Sequence, residues 1–66
     1  MIVSASEIVV GQSYTFSQIK DVVRITSGTV ISEVKNDRFV TIKCAESGVR
    51  KIIDLSVLSR IELIDS

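Results

Sequence analysis

The residue types that could carry chemistry are few in this chain, and their spacing keeps them apart. There is no histidine, which removes the commonest general base and the commonest metal ligand together. The single cysteine, Cys44, closes the alternating apolar set Val40, Ile42 and Cys44, and without a histidine to pair with it reads as a small core filler and not a nucleophile. Glu33, Asp37, Glu46, Asp54 and Glu62 fall singly among strands and turns, so no pair of carboxylates is placed for acid–base work. The three glycines, Gly11, Gly28 and Gly48, sit in separate turns and build no phosphate-cradling loop. The expectation is a non-enzyme with no cofactor, no metal and no small-molecule substrate.

What remains is recognition. In the central stretch Ser27 to Leu55, alternation assigns Val30, Val34, Val40, Ile42, Ile53 and Leu55 to a core face. The opposite face carries Ile31, Glu33, Phe39, Thr41, Lys43, Arg50 and Ile52. Ile31, Phe39 and Ile52 form an apolar strip there, rimmed by charge, and exposed strips of that kind mark partner sites. Whether bending of the sheet closes over Phe39 and buries it stays open. The same face also suits a single-stranded nucleic acid, with Phe39 stacking on a base and Arg38, Lys43, Arg50 and Lys51 meeting phosphates. Charge argues against the second use, because eight Lys and Arg balance eight Asp and Glu and the meander has only a slight basic excess. Neutrality also does little to keep copies apart, which makes a homo-oligomer a natural partner state.

Short strands must position these residues. Ser13 to Ser17 alternates Tyr14 and Phe16 against Thr15 and Ser17, the period of a half-buried strand, with the two aromatics expected in the core. Phe16 to Val23 fits either one or two helical turns capped by Ser17 or, from Asp21 to Thr26, a strand. Thr29 to Val34 resumes the extended pattern after a break or corner at Ser27-Gly28. Lys35 to Arg38 is a polar turn, since Asn36 and Asp37 tolerate positive φ. Phe39 to Cys44 is the next strand, and a two-residue Ser47-Gly48 loop pairs Cys44 with Lys51, Ile42 with Ile53 and Val40 with Leu55. For the same faces to meet, the Asn36 loop must have three residues and set Val34 opposite Val40. Ser56 is placed to cap one helical turn, with Val57 and Leu58 closing an end of the core. Arg60 to Ile64 then alternates, Ile61 and Leu63 inward. Ile2 to Gly11 reads as a short edge segment, although Ser4 or Ser6 could cap a helical turn.

Sixty-six residues make one domain, residues 1–66, near the lower size limit for a single unstapled core. Hydrophobic residues make up 45% of the chain, which marks a folded domain and not a disordered tail. The lone cysteine, the absence of a signal-like segment and the lack of any long apolar run predict a cytoplasmic protein without a membrane role. The fold expected is all-β: a five- to six-stranded, strongly bent antiparallel sheet or barrel with one short helical turn before the last strand.

Asp21-Val22-Val23, Gly28-Thr29-Val30, the Asn36-Asp37 turn, Phe39-Val40-Thr41-Ile42, the Gly48 turn and the late helical turn together resemble small Src-homology-3-like barrels of the KOW or Hfq/Sm-like type. The resemblance covers residues 21–63. It implies a bent five-stranded sheet that binds without catalysis, in transcription or translation for the KOW type and as RNA-binding rings for the Sm-like type. The chain lacks the glycine that usually precedes the first KOW strand and a clear Sm-type Asp and Asn pair, so neither family's RNA-binding residues carry over. The leading expectation is an interaction module that binds a protein or a copy of itself through the outer face or edge of the meander. The alternatives are a nucleic-acid-binding barrel and a small phage- or plasmid-encoded inhibitor of a host protein. On this reading Phe39→Ala and Ile31→Ser weaken association and shift thermal unfolding by no more than a few degrees.

Overall fold

Alternation along Ser13–Gln18 and Phe39–Cys44 places one side chain in two against a common interior. In the computed structural model, which describes residues 1–64, these runs are strands β1 and β3. Strand β2 is Arg24–Val30, β4 is Arg50–Asp54 and β5 is Arg60–Leu63. All pair antiparallel in one sheet of order β4-β3-β2-β1-β5. A 3₁₀ turn, Leu55–Val57, comes before β5 and a second, Ala5–Glu7, near the N-terminus.

The sheet folds its inner face onto Tyr14, Phe16, Val30, Val40, Ile42, Leu55 and Ile61, all buried, with Val34, Ile53, Leu58 and Leu63 packed around them. Both β1 aromatics are therefore core. Their rings meet at 6.0 Å and 48°, a tilted contact of the favoured kind. The Tyr14 hydroxyl accepts a hydrogen bond from the Val9 N–H at 3.0 Å, which ties the N-terminal segment to the core without leaving a buried polar group unpaired. Cys44 is buried as well.

Strand β2 joins the two halves of the sheet. It pairs with β1 over all but its last residue, from Arg24 opposite Gln18 to Thr29 opposite Ser13, but with β3 only through Gly28, Thr29 and Val30. The expected break at Ser27-Gly28 is absent, and the chain stays extended through both residues. Gly28 is required for closeness: a Cβ there would lie 2.5 Å from the Lys43 carbonyl oxygen and 3.0 Å from Ile42 Cδ1. On the outer face, hydroxyl pairs Ser13–Thr29 at 2.9 Å and Thr15–Ser27 at 3.1 Å bridge β1 and β2, a cross-strand contact that helps hold the register.

Register departs from expectation by two residues in two places. The Asn36 loop has its three residues, with Lys35 opposite Phe39 and positive φ at Asn36 and Asp37. Between that bridge and the Val30–Ile42 pair, however, residues 31–34 face only Val40 and Thr41. The irregular segment replaces the expected Thr29 to Val34 strand, and it is held by Ile31 N–H to the Thr41 carbonyl at 3.0 Å and Thr41 N–H to Ser32 Oγ at 3.2 Å. The β3–β4 loop is longer than the expected Ser47-Gly48 pair: Cys44 N–H donates to the Val49 carbonyl and Gly48 N–H to the Cys44 carbonyl. Val40 thus faces Ile53, and Ile42 faces Lys51. A two-residue slip preserves the alternation, so the faces stand as expected.

Three local expectations change. Residues 16–23 form no helix: β1 runs on to Gln18 and the chain turns through Asp21, whose φ is +67°. The late turn is capped by Asp54 and not Ser56, because the Asp54 carboxylate accepts from the Ser56 N–H and hydroxyl. Leu55 and Leu58 close the core there, while Val57 is exposed. At the N-terminus only Met1–Val3 is an edge segment, bonding through Val3 N–H to the Ile61 carbonyl and Leu63 N–H to the Met1 carbonyl. Ser4 then starts the Ala5–Glu7 turn, its N–H donating to the Glu7 carboxylate at 2.8 Å.

Replacing Gly28 by alanine tests this close approach directly. Gly28→Ala is expected to destabilise the domain by about 2–3 kcal/mol, lowering the thermal midpoint by roughly 10 °C or more in a chain this size. Thermal unfolding followed by circular dichroism measures it.

Candidate interaction site

Strands β3 and β4 turn alternate side chains away from the core, and register sets which of them meet. Thr41 lies opposite Ile52, Lys43 opposite Arg50 and Phe39 opposite Asp54. Ile31 joins the Thr41 level through its backbone bond. Ile31, Thr41 and Ile52 therefore cross the outer face side by side. Ile52 is 71% exposed and Ile31 38%. Ile31, Ser32, Thr41, Lys43, Gly48 and Arg50 line one shallow depression, which gathers four of the expected binding residues.

Phe39 resolves the open question in between: it is half-buried, and the Arg38 guanidinium covers its ring at 5.1 Å from the centroid. That cation–π contact is held by a two-point grip, Arg38 Nε to Asp54 Oδ1 at 3.0 Å and Nη2 to Oδ2 at 2.9 Å. The expected strip therefore keeps Ile31 and Ile52 open but lids Phe39. The hydrogen bonds from Arg38, and then those from Ser56, hold the Asp54 carboxyl well below the usual carboxylate range. The same ion pair raises the Arg38 pKa.

The nucleic-acid set comes apart similarly. Arg38 and Phe39 are committed to each other and to Asp54, and Lys51 lies opposite Ile42 on the other side of β4. Only Lys43 and Arg50 stand together, both exposed, and neither belongs to an ion pair among the described residues. Glu33 also leaves the group. It lines a different concavity, between the N-terminal segment and the β2–β3 loop, with Ile8, Val9, Val10, Val34 and Asp37.

One exposed apolar feature escaped sequence reasoning. Ile19, Val22, Val23 and Ile25, each 56–71% exposed, crowd the β1–β2 turn. Their β-branched types suggest strand interior, and only the charged Lys20, Asp21 and Arg24 between them signalled a turn. At the far end of β3, the Glu46 and Ser47 amides hold the Cys44 thiol below its ordinary pKa. Among the described residues no three His, Cys, Asp or Glu side chains gather into a metal-sized cluster, and no helix is long and apolar enough to cross a membrane. No protein-family model, curated protein or solved structure matches the chain.

Two outcomes follow from the lidded ring and its anchor. Phe39→Ala is now expected to cost about 2 kcal/mol, half the loss for a fully buried phenylalanine, so the thermal midpoint falls by roughly 10 °C. Asp54 contributes stability above the unfolded carboxyl pKa of about 3.9, and this is lost as pH falls through its lower folded value. Urea midpoints taken from pH 7 down to pH 2 should thus decline in the wild type below about pH 4 and decline less in Asp54→Asn. Glu7, also lowered by its Ser4 bonds, acts in the same direction in both proteins, so the difference between the two curves isolates Asp54.

Proposed function

We propose that this chain is a non-catalytic interaction module, a small barrel of the Src-homology-3-like kind that binds a protein surface or its own copy through the outer face of β3 and β4. The strand order, the shared inner face of the five strands and the 3₁₀ turn before β5 support the barrel reading. One observation carries the function: Ile31 and Ile52 remain open on either side of Thr41, on a face whose other apolar residue, Phe39, is already covered. Interface cores favour apolar centres with charged residues at the rim, and Lys43 and Arg50 provide such a rim.

A specific observation also favours the nucleic-acid reading. Lys43 and Arg50 sit directly opposite on adjacent strands, an arrangement of like charge that costs stability and suits an anion such as a phosphate. A protein partner remains the first reading, because the aromatic expected to stack on a base is lidded and the net charge is zero.

Side-by-side capture with wild-type and Ile31→Ser domains separates these readings. A protein retained by the wild type and lost by Ile31→Ser, with Lys43→Ala still retaining it, supports the apolar face. Retention of nucleic acid that falls with salt and with Lys43→Ala or Arg50→Ala selects the second reading. Equal capture by wild type and Ile31→Ser overturns the first.

A further inference from the structure

This inference rests on the interaction-module reading and specifies one partner for the edge of the same strand. Cys44 N–H donates to the Val49 carbonyl and Leu55 N–H to the Arg38 carbonyl. In an antiparallel ladder alternate residues turn their backbone groups to the same neighbour, so residues 49, 51, 53 and 55 face β3. The N–H and C=O groups of Arg50 and Ile52 and the N–H of Asp54 then point away from it, while the Asp54 carbonyl starts the 3₁₀ turn, and among the described residues β4 has no strand beyond it. The other edge of the sheet is different. There Met1–Val3 takes up the outward groups of Ile61 and Leu63.

We propose that a second copy of this chain docks on the open edge of β4, antiparallel and two-fold symmetric about Ile52. Backbone parity allows several alignments, and side-chain chemistry selects this one. Centred on Ile52, the two copies set Ile52 beside Ile52 and Arg50 of each opposite Asp54 of the other. Ile52 exchanges both backbone bonds with Ile52 of the other copy, and each Asp54 N–H donates to the Arg50 carbonyl opposite it. Moving the centre by one residue, to Lys51 or Ile53, sets Ile52 against Arg50 or Asp54 and removes both charge pairings. Asp54 has room for the second cation. Its Oδ1 receives Arg38 Nε and both Ser56 groups, whereas Oδ2 receives Arg38 Nη2 alone. The exposed charge and apolar centre of β4 thus complement themselves. Head-to-tail joining of β4 to β5 of a neighbour, which would build rings, is opposed by Met1–Val3 on the β5 edge.

Sedimentation velocity from about 10 μM to about 1 mM is the test, because a joint of two five-residue strands is expected to hold with a Kd on the order of 100 μM. The wild type should pass from monomer to dimer over that range. Ile52→Lys and Arg50→Glu should each raise the Kd at least about tenfold and leave the thermal midpoint at the lowest concentration unchanged, since both side chains are exposed in the monomer. Ile31→Ser, away from the edge, should change the Kd by less than about twofold. A wild type that stays monomeric to 1 mM overturns the proposal, as does a dimer that survives both edge variants. A dimer lost in Ile31→Ser and kept in Ile52→Lys also overturns it, while leaving the face reading intact. A foreign protein captured by a monomeric wild type and lost with Ile52→Lys assigns the edge to another chain and ends the second-copy proposal.

Discussion

The close approach of β3 to Gly28 is the constraint on which the structure depends. A single sheet in so short a chain can make a core only by folding its own inner face together, so one strand must serve both halves. That strand is β2. Its early residues belong to β1 alone, and only at Gly28 does β3 arrive beside it. There the Lys43 carbonyl approaches so closely that a methyl group has no place. Tyr14 and Cys44 flank Gly28 in register on the two neighbouring strands, and the bulk of the Tyr14 ring faces a position without a side chain. The missing Cβ is what lets the two halves share an interior.

A polar node fixes the rim in the same way that Gly28 fixes the centre. Asp54 joins the end of β4, the start of the 3₁₀ turn and the β2–β3 loop through one carboxylate. Because its partner Arg38 also lies over Phe39, the node decides which apolar residues of the outer face meet solvent. On β1 and β2, the neighbouring hydroxyls satisfy one another, so that part of the face has fewer open groups to offer. Beside β3 and β4, Ile31 and Ile52 stay uncovered, and Lys43 and Arg50 lack acidic partners among the described residues.

Much of this was legible because strand faces depend on parity and not on register. The expected core face, Val30, Val34, Val40, Ile42, Ile53 and Leu55, is the observed one, although two pairings were displaced. Each displacement was by two residues, which leaves inward and outward sets unchanged. The positive φ at Asn36, Asp37 and Gly48 was legible for a related reason, since few residue types tolerate it. The misread positions of the outer face depend on contacts distant in sequence. Glu33 moves away from the face because residues 31–34 bulge, and that bulge is held by Thr41 through Ser32. Phe39 is lidded because Arg38 reaches Asp54 sixteen positions on. Strand β2 passes through Ser27-Gly28 unbroken because β1 pairs with it on one side. Alternation cannot report such contacts.

Met1–Val3 lies along β5 and leaves the two edges of the sheet unequal. A sheet with two free edges is a building block with two ends, and growth by backbone pairing can then run on without limit, as it does in fibrils. With one edge lined by Met1–Val3, β4 is the edge that offers a full strand of open backbone groups among the described residues. Pairing across β4 uses up that strand, and the product keeps only the short Met1–Val3 edges. In the two-copy pairing proposed above, the N-terminal residues thus act as a stopper, turning an open-ended polymerisation into an association that ends at two.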